Sequence, residues 1–200
     1  MASLLRYRIG TKAALELVVG NIIDETTDAI VNAANSSLLG GGGVDGAIHR
    51  TAGPALLEEC KRIREQRGLL PAGQAVTTSG ANLKARYVVH TVGPVWQGGT
   101  RNEPQVLESC YCHSIEEANR KSCASVSFPS VSTGAFGYPV DAAAQIAIRT
   151  VADLLQAPAW VTLVRFVLFD ERTFKAYARA ADELSRSFPH LQITREPVPS

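Results

Sequence analysis

The 200-residue sequence has almost no surplus of charge, because 20 lysines and arginines are balanced by 19 aspartates and glutamates. This balance disfavours nonspecific nucleic-acid binding, which depends on many uncompensated cations. Long apolar runs are also missing. Residues 1–8 lack the apolar core of a signal peptide, and the longest uncharged stretch, 122–140, is interrupted by two prolines and two glycines. We therefore expect neither a signal peptide nor a membrane-spanning segment.

Cysteine is scarce, and its spacing excludes the common redox and zinc motifs. Cys60, Cys110, Cys112 and Cys123 form no C-x-x-C pair. We expect four reduced, partly buried thiols, which are typical of a cytoplasmic protein. His49 is interpreted as a hydrogen-bonded structural residue, because no second histidine or cysteine completes a metal-ligand set. The sequence thus predicts no metal site.

The length and the 46% hydrophobic composition are those of one globular domain. Short apolar runs that suit strands alternate with segments of helical period. The predicted strands are 4–9, 15–19, 28–33, 75–79, 87–92, 125–131 and 161–169, with an edge strand at 191–194. The predicted helices are 44–52, 54–67, 103–120, 139–155 and 171–187. This alternation predicts a layered α/β domain with a largely parallel or mixed sheet, which binds ligands beyond the carboxyl ends of its strands.

A run of four glycines, residues 40–43, lies between the predicted strand at 28–33 and a helix. Ordering glycine has a large entropic cost, so the run indicates a close approach of the backbone or a positive φ. The free N–H groups at the start of the helix favour a phosphate group. Residues 41–46 also fit the pattern G-x-G-x-x-G, but a redox dinucleotide enzyme needs an acidic residue after a second strand. Glu58 and Glu59 instead fall inside a predicted helix.

A second glycine-containing loop, residues 132–139, also follows a predicted strand and precedes a helix. Its two hydroxyls, two glycines and consecutive amides can surround a diphosphate, while Phe136 and Tyr138 offer flat faces for a sugar or base. Taken alone, each loop has a simpler interpretation. Residues 40–43 can be a mobile surface loop, and residues 132–139 can be a tight turn with two packed aromatic residues. Two such loops, each between a strand and a helix, favour phosphate binding.

These motifs resemble those of the macrodomain family, in particular its MacroD-type hydrolase branch. The first reads NAAN followed by GGGGVDGAIH, and the second reads STGAFGYP. The branch signature, an asparagine and then Gly-Gly-Val-Asp-Gly after six residues, matches from Asn35 to Gly46 without a gap. The likeness covers about residues 15–184. It implies one three-layer α/β/α macrodomain over 1–200, with a core at about 15–190, a mixed six-stranded central sheet, a short N-terminal strand and a frayed C-terminal tail.

The resemblance also implies an ADP-ribose site at the carboxyl ends of the strands. Asn35 would hydrogen-bond the distal ribose, Phe136 would pack against it, and Asp45 would place or activate water. On residue type alone, the better interpretation is structural for both residues, with Asn35 as a capping or turn residue and Asp45 as a helix N-cap. The residues implied to hold the diphosphate share a place in the two loops: Gly42, Gly43, Val44, Ser132, Thr133, Gly134 and Ala135.

The adenine end of the implied site departs from the family pattern at one position. Phe169, beside Asp170, matches the aromatic residue that stacks on adenine, and Asn21 with Ile22 matches the pair that reads the base. The family usually has aspartate where this sequence has Asn21.

The activity implied by the resemblance is hydrolysis of an ester on the distal ribose, in O-acetyl-ADP-ribose or in proteins ADP-ribosylated on Asp or Glu. Either Asp45 or a substrate phosphate takes the proton from water. The alternative is a non-catalytic reader of ADP-ribosylated proteins, and such readers often lack an acid at the position of Asp45. No cofactor is expected, since ADP-ribose is ligand and product. We also expect a cytoplasmic monomer whose partners are ADP-ribosylated proteins.

Overall fold

The structure, a computed structural model, describes residues 4–197. Its strands are β1 (Leu4–Ile9), β2 (Ala13–Val19), β3 (Ala29–Ala33), β4 (Ala75–Ser79), β5 (Tyr87–Thr91), β6 (Ser125–Phe128), β7 (Leu163–Leu168) and β8 (Ile193–Glu196). Its helices are α1 (Gly43–Ala52), α2 (Pro54–Arg67), α3 (Glu103–Arg120), α4 (Val140–Leu154) and α5 (Glu171–Ser187), with short 3-10 turns at Ile22–Asp24 and Pro189–Leu191. Residues 198–200, most of the tail predicted to be frayed, lie outside the described residues.

The strands form one mixed sheet in the order β4-β5-β3-β6-β7-β2-β1-β8. The central strands β5, β3, β6, β7 and β2 are parallel, and the outer pairings are antiparallel. The mixed sheet confirms the prediction, but the expected count of six strands is wrong, since the sheet over residues 4–197 has eight. The difference arises partly at one edge, where β1 continues the sheet beyond β2 and β8 pairs with β1.

Helices cover both faces of the sheet, as the three-layer prediction requires. Side chains of successive strand residues point to opposite faces. In β3, Val31 packs in the core that contains residues of α3, α4 and α5, whereas Ile30 packs in the core that contains residues of α1 and α2. In the neighbouring strand β5, Val89 packs in the first of these cores and Val88 in the second. Burial on both faces explains why these strands read as continuous apolar runs.

The parallel strands end at one edge of the sheet, and this edge carries both glycine-containing loops. The first loop leads from β3 into α1 and the second from β6 into α4. Because β3 and β6 are neighbours, the two loops start side by side. Strand β6 ends at Phe128 rather than at residue 131, since Pro129 has no N–H group to continue a strand ladder. Among residues 4–197, no helix is both long and apolar enough to cross a membrane.

Candidate active site

Asp45 is buried at the start of α1, with only 4% of its surface exposed. Its Oδ1 accepts a hydrogen bond from Asn32 Nδ2 at 2.7 Å, and its Oδ2 accepts one from Asn35 Nδ2 at 3.3 Å. The N-cap interpretation of Asp45 is wrong, because Gly42 is the N-cap and Asp45 lies inside the first turn. The structure therefore brings together Asn35 and Asp45, the two residues predicted to act on the distal ribose.

The glycine run allows this contact. A Cβ atom at Gly41 would lie 2.5 Å from Asn35 Nδ2 and 3.1 Å from Asp45 Oδ2. Gly40 has a φ of +85°, a value that favours glycine. The expected close approach and positive φ are thus both present. At Gly42, by contrast, an added Cβ would meet no atom within 4 Å.

This contrast predicts different effects for two neighbouring substitutions. We expect Gly41→Ala to lower the free energy of unfolding by about 1–3 kcal/mol, because its methyl group forces Asn35 or Asp45 to move. Gly42→Ala is the matched control and should lose less stability, since the same methyl group has space there and only the preference of an N-cap for glycine over alanine is lost. Urea denaturation of the ligand-free variants measures both. Equal stability of the two variants would contradict the close packing at Gly41.

The start of α1 offers an anion site. The N–H groups in the first turn of a helix have no intrahelical acceptor and lie at the positive end of the helix dipole. Here they belong to Gly43, Val44 and Asp45, and the preceding Gly41 and Gly42 are exposed. A phosphate group can reach this backbone without displacing a side chain.

The second loop also presents backbone N–H groups. The carbonyl oxygens of Ser132, Gly134 and Phe136 each accept a backbone hydrogen bond, at distances of 2.9 to 3.0 Å, which fixes the loop. The N–H groups of residues 133–136 donate to no backbone carbonyl within residues 4–197. Ser132 supports this shape with a φ of +66°. Fixed carbonyls and consecutive free N–H groups form an anion-binding concavity.

Residues predicted to contact adenine lie at the ends of neighbouring strands. Strands β2 and β7 pair in parallel up to Val19 and Leu168, so Asn21 and Phe169 follow adjacent strand ends. Phe169 is 83% exposed, as a stacking surface requires. Asn21 is exposed, and its Oδ1 accepts a hydrogen bond of 3.4 Å from Ile23 N. The side chain of Ile22 is buried in the core below α1 and α2, so only its backbone is available to a ligand.

A buried polar cluster lies behind Asp45, and the sequence-based interpretation of His49 missed it. One ligand atom from each of His49, Cys60 and His90 lies within 4.8 Å of the others. However, His90 Nδ1 lies 3.1 Å from Asn32 Nδ2, and His90 Nε2 lies 2.9 Å from Thr78 Oγ1. An amide nitrogen only donates, so Nδ1 accepts and Nε2 carries the proton. His90 therefore has no free lone pair for a metal ion.

The charge states in this cluster follow from burial. Burial lowers the pKa of His90 to about 4, with a smaller contribution from His49. Burial likewise raises the pKa of the Cys60 thiol to about 12. At neutral pH both side chains are therefore uncharged. His49 Nε2 lies 3.4 Å from Asp45 Oδ1 without the direction of a hydrogen bond.

The lowered pKa of His90 predicts a pH dependence of stability. The unfolded chain takes up a proton near pH 6.5, whereas folded His90 takes one up only near pH 4, so stability falls as the pH drops through this window. The loss is about 3 kcal/mol over the whole window, at 1.36 kcal/mol per unit. Asp45 and Glu59 favour the charged ring and His49 opposes it. Urea denaturation at several pH values measures this effect. Below pH 6.5, the free energy of unfolding of the wild type should fall towards that of His90→Asn. A constant difference between the two proteins at all pH values would contradict the prediction.

Comparisons with known proteins identify the family of this chain. A family model described as "Macro domain" matches residues 31–147. O-acetyl-ADP-ribose deacetylase of Citrobacter koseri is 55% identical over 84% of this chain and 95% of its own length. The protein of the same name from Escherichia coli K12 is 50% identical over the same shares.

Solved structures show the same fold. A macrodomain of Oceanobacillus iheyensis with ADP superposes with a TM-score of 0.90 at 44% identity, and covers 94% of this chain and all of that one. A Trypanosoma brucei macrodomain in complex with ADP-ribose gives a TM-score of 0.75 at 40% identity, over 82% of this chain and 68% of that one. With the family model matching more than half of its length, this chain belongs to the macrodomain family.

Proposed function

We propose that this macrodomain binds ADP-ribose along the carboxyl ends of its parallel strands and hydrolyses an ester on the distal ribose. The observation that carries the proposal is the buried Asp45 carboxylate, held by the amides of Asn32 and Asn35 at the start of α1. A base within reach of water is what ester hydrolysis near neutral pH requires. The relatives named O-acetyl-ADP-ribose deacetylase support O-acetyl-ADP-ribose as a substrate.

The loops supply binding and orientation. The diphosphate lies between the first turn of α1 and the N–H groups of residues 133–136, and the adenine stacks on Phe169. Fixing both ends of the ligand places the distal ribose beside Asn35 and Asp45. Orientation of this kind contributes several kcal/mol to lowering the barrier.

The reaction consumes one water molecule. The water oxygen forms a bond to the acyl carbon, the bond between that carbon and the ribose oxygen breaks, and the ribose oxygen takes up a proton. The products are a carboxylic acid and ADP-ribose. Asp45 either takes the proton of the attacking water or orients that water while a phosphate oxygen of the substrate takes it.

We propose that the same site acts on ADP-ribose attached to Asp or Glu side chains of proteins, because these linkages are also esters of the distal ribose. The proposed setting is the cytoplasm, which the four free cysteines support. We further propose a monomer that uses no cofactor and no metal ion. Activity should therefore persist in a chelator, and light scattering should give the mass of one chain.

Two substrates in parallel test the proposal. The protein is incubated with O-acetyl-ADP-ribose and, separately, with a protein carrying ADP-ribose on glutamate, and free ADP-ribose is measured by chromatography. We expect release from both. Release from O-acetyl-ADP-ribose alone would restrict the activity to the small ester. Binding of ADP-ribose without release from either would contradict hydrolysis and indicate a reader.

The asparagine at position 21 predicts weakened recognition of adenine. Oδ1 of Asn21 already accepts from Ile23 N, so it has one lone pair left for the adenine amine, and Nδ2 only donates. Aspartate would keep the bond to Ile23 and offer a second acceptor. We expect Asn21→Asp to tighten ADP-ribose binding by up to about tenfold, or 1.4 kcal/mol, and to sharpen discrimination against an inosine analogue.

Calorimetry with both ligands and both variants measures this effect. If the aspartate variant binds no more tightly and discriminates no better, Asn21 does not read the base. Stacking on Phe169 and backbone groups near Ile22 would then hold the adenine.

A further inference from the structure

A chain of hydrogen bonds leads from the edge strand β4 to the Asp45 carboxylate. Thr78 Oγ1 donates to the Ser79 carbonyl at 3.1 Å and lies 2.9 Å from His90 Nε2. His90 Nδ1 lies 3.1 Å from Asn32 Nδ2, which donates to Asp45 Oδ1 at 2.7 Å. Each link is within hydrogen-bonding distance, and the middle of the chain is buried, since Asn32 and His90 are 0% exposed.

The donors in this chain have one consistent direction. A carboxylate only accepts, so the Asn32 atom that faces Asp45 is the amide nitrogen rather than the oxygen. The same nitrogen directs its second hydrogen to His90 Nδ1. His90 therefore carries its proton on Nε2 and donates to Thr78, whose own hydrogen goes to the Ser79 carbonyl.

The sheet itself holds this arrangement. Asn32 on β3 and His90 on β5 are register partners in a parallel pair, and β5 pairs on its other side with β4. Cys60 Sγ, from α2, contacts His90 Nε2 at 3.8 Å and closes the cluster from the helical layer. Groups on rigid strands position a site more accurately than groups on loops do.

We infer that His90 is a positioning residue for Asp45 and acts through Asn32, an inference that rests on the hydrolysis proposed above. The ring nitrogen Nδ1 holds the Asn32 amide with its nitrogen towards the carboxylate. Without that acceptor, the second amide hydrogen of Asn32 is buried and unpaired, so the amide shifts towards another partner and moves the Asp45 carboxylate with it. The neutral state of the ring suits this role, since a protonated ring would have no acceptor.

Two substitutions of His90 separate positioning from packing. Asparagine places its amide oxygen near the position of ring Nδ1 and keeps the acceptor for Asn32. Glutamine reaches the position of Nε2 and keeps the donor to Thr78. Both variants lose the ring, so both lose stability. Only His90→Gln should lower kcat, by about 10- to 100-fold, the effect of a displacement of about 1 Å at a catalytic group.

The measurement is steady-state hydrolysis of O-acetyl-ADP-ribose at a temperature where both variants are folded. We expect His90→Asn to keep a kcat close to that of the wild type, and KM to stay unchanged in both variants. Equal kcat values for the two variants, or a loss expressed in KM, would overturn the positioning role. Absence of turnover in the wild type would contradict the proposed function and would remove the positioning role with it.

The wild-type protein supplies a test that does not depend on variants that fold. Long-range 1H–15N spectra of the imidazole groups should show His90 Nδ1 unprotonated and Nε2 protonated at pH 7. Observation of the opposite tautomer in the wild type would overturn the inference.

Substitutions of Thr78 test the other end of the hydrogen-bond chain. A Thr78→Ser variant should keep this tautomer and kcat. Thr78→Val leaves the Nε2 proton without its acceptor and should lower kcat.

Discussion

Replacing Asp45 with alanine should reduce kcat for O-acetyl-ADP-ribose by a factor of about 10² to 10⁴, the usual contribution of a general base. The reason is the position of the carboxylate, which lies beside Asn35 and is held by Asn32. Binding of ADP-ribose should remain within about tenfold of the wild type, or 1.4 kcal/mol, because backbone N–H groups hold the diphosphate. Calorimetry and a product assay on the same preparation measure the two effects.

Asp45→Asn is the matched control for this substitution. It preserves the size of the side chain and an oxygen that accepts from Asn32, but it is a far weaker base. If Asp45 takes the proton, the asparagine variant should be as inactive as the alanine variant. Substantial activity in Asp45→Asn would assign the proton to the substrate phosphate. Equal loss of binding and turnover in Asp45→Ala would show a purely structural residue, and near wild-type turnover would remove Asp45 from the mechanism.

Gly134→Glu should abolish ADP-ribose binding and leave the fold intact. Gly134 is exposed, and a Cβ atom there would meet no atom within 4 Å, so the folded chain has space for the side chain. The same side chain would bring bulk and negative charge to the N–H groups of residues 133–136, where the diphosphate is expected. Calorimetry should detect no binding, and the thermal midpoint should stay near that of the wild type.

Gly134→Gln separates charge from size, since glutamine has nearly the same shape without the charge. We expect Gly134→Gln to weaken binding and Gly134→Glu to abolish it. Similar binding by both variants would show that steric exclusion dominates. Unchanged affinity in Gly134→Glu would place the ligand elsewhere on the protein.

Much of the secondary structure could be predicted because its signals are local. Helix α2 begins at Pro54 and ends before Gly68, as expected for a proline in the first turn and a glycine after the last. The order of the strands could not be predicted in this way. Their pairing brings together distant segments, such as β2 with β7 and β1 with β8. The six-strand expectation came from the family resemblance and did not count this extended edge.

The candidate site likewise has some features that are local in the sequence and others that depend on contacts between distant segments. The glycine run and the Asn35–Asp45 spacing are local patterns, but residue type alone does not distinguish an N-cap from a buried carboxylate. The hydrogen bonds of Asn32 and His90 that hold Asp45 depend on strand register. His90 contacts Asn32 across 58 residues and Cys60 across 30 residues, so no spacing in the sequence joins them. The one available signal was a polar residue within each of two apolar strands, Asn32 in β3 and His90 in β5.

The most direct measurement of the central claim is a progress curve with the wild-type protein and a large excess of O-acetyl-ADP-ribose. The reaction is run in the presence of a chelator, and ADP-ribose and acetate are both quantified. We expect both products in equal amounts and many moles of each per mole of protein, as a macrodomain hydrolase with a buried Asp45 requires. Tight binding of ADP-ribose with no product above the spontaneous rate would contradict hydrolysis and identify the chain as a reader.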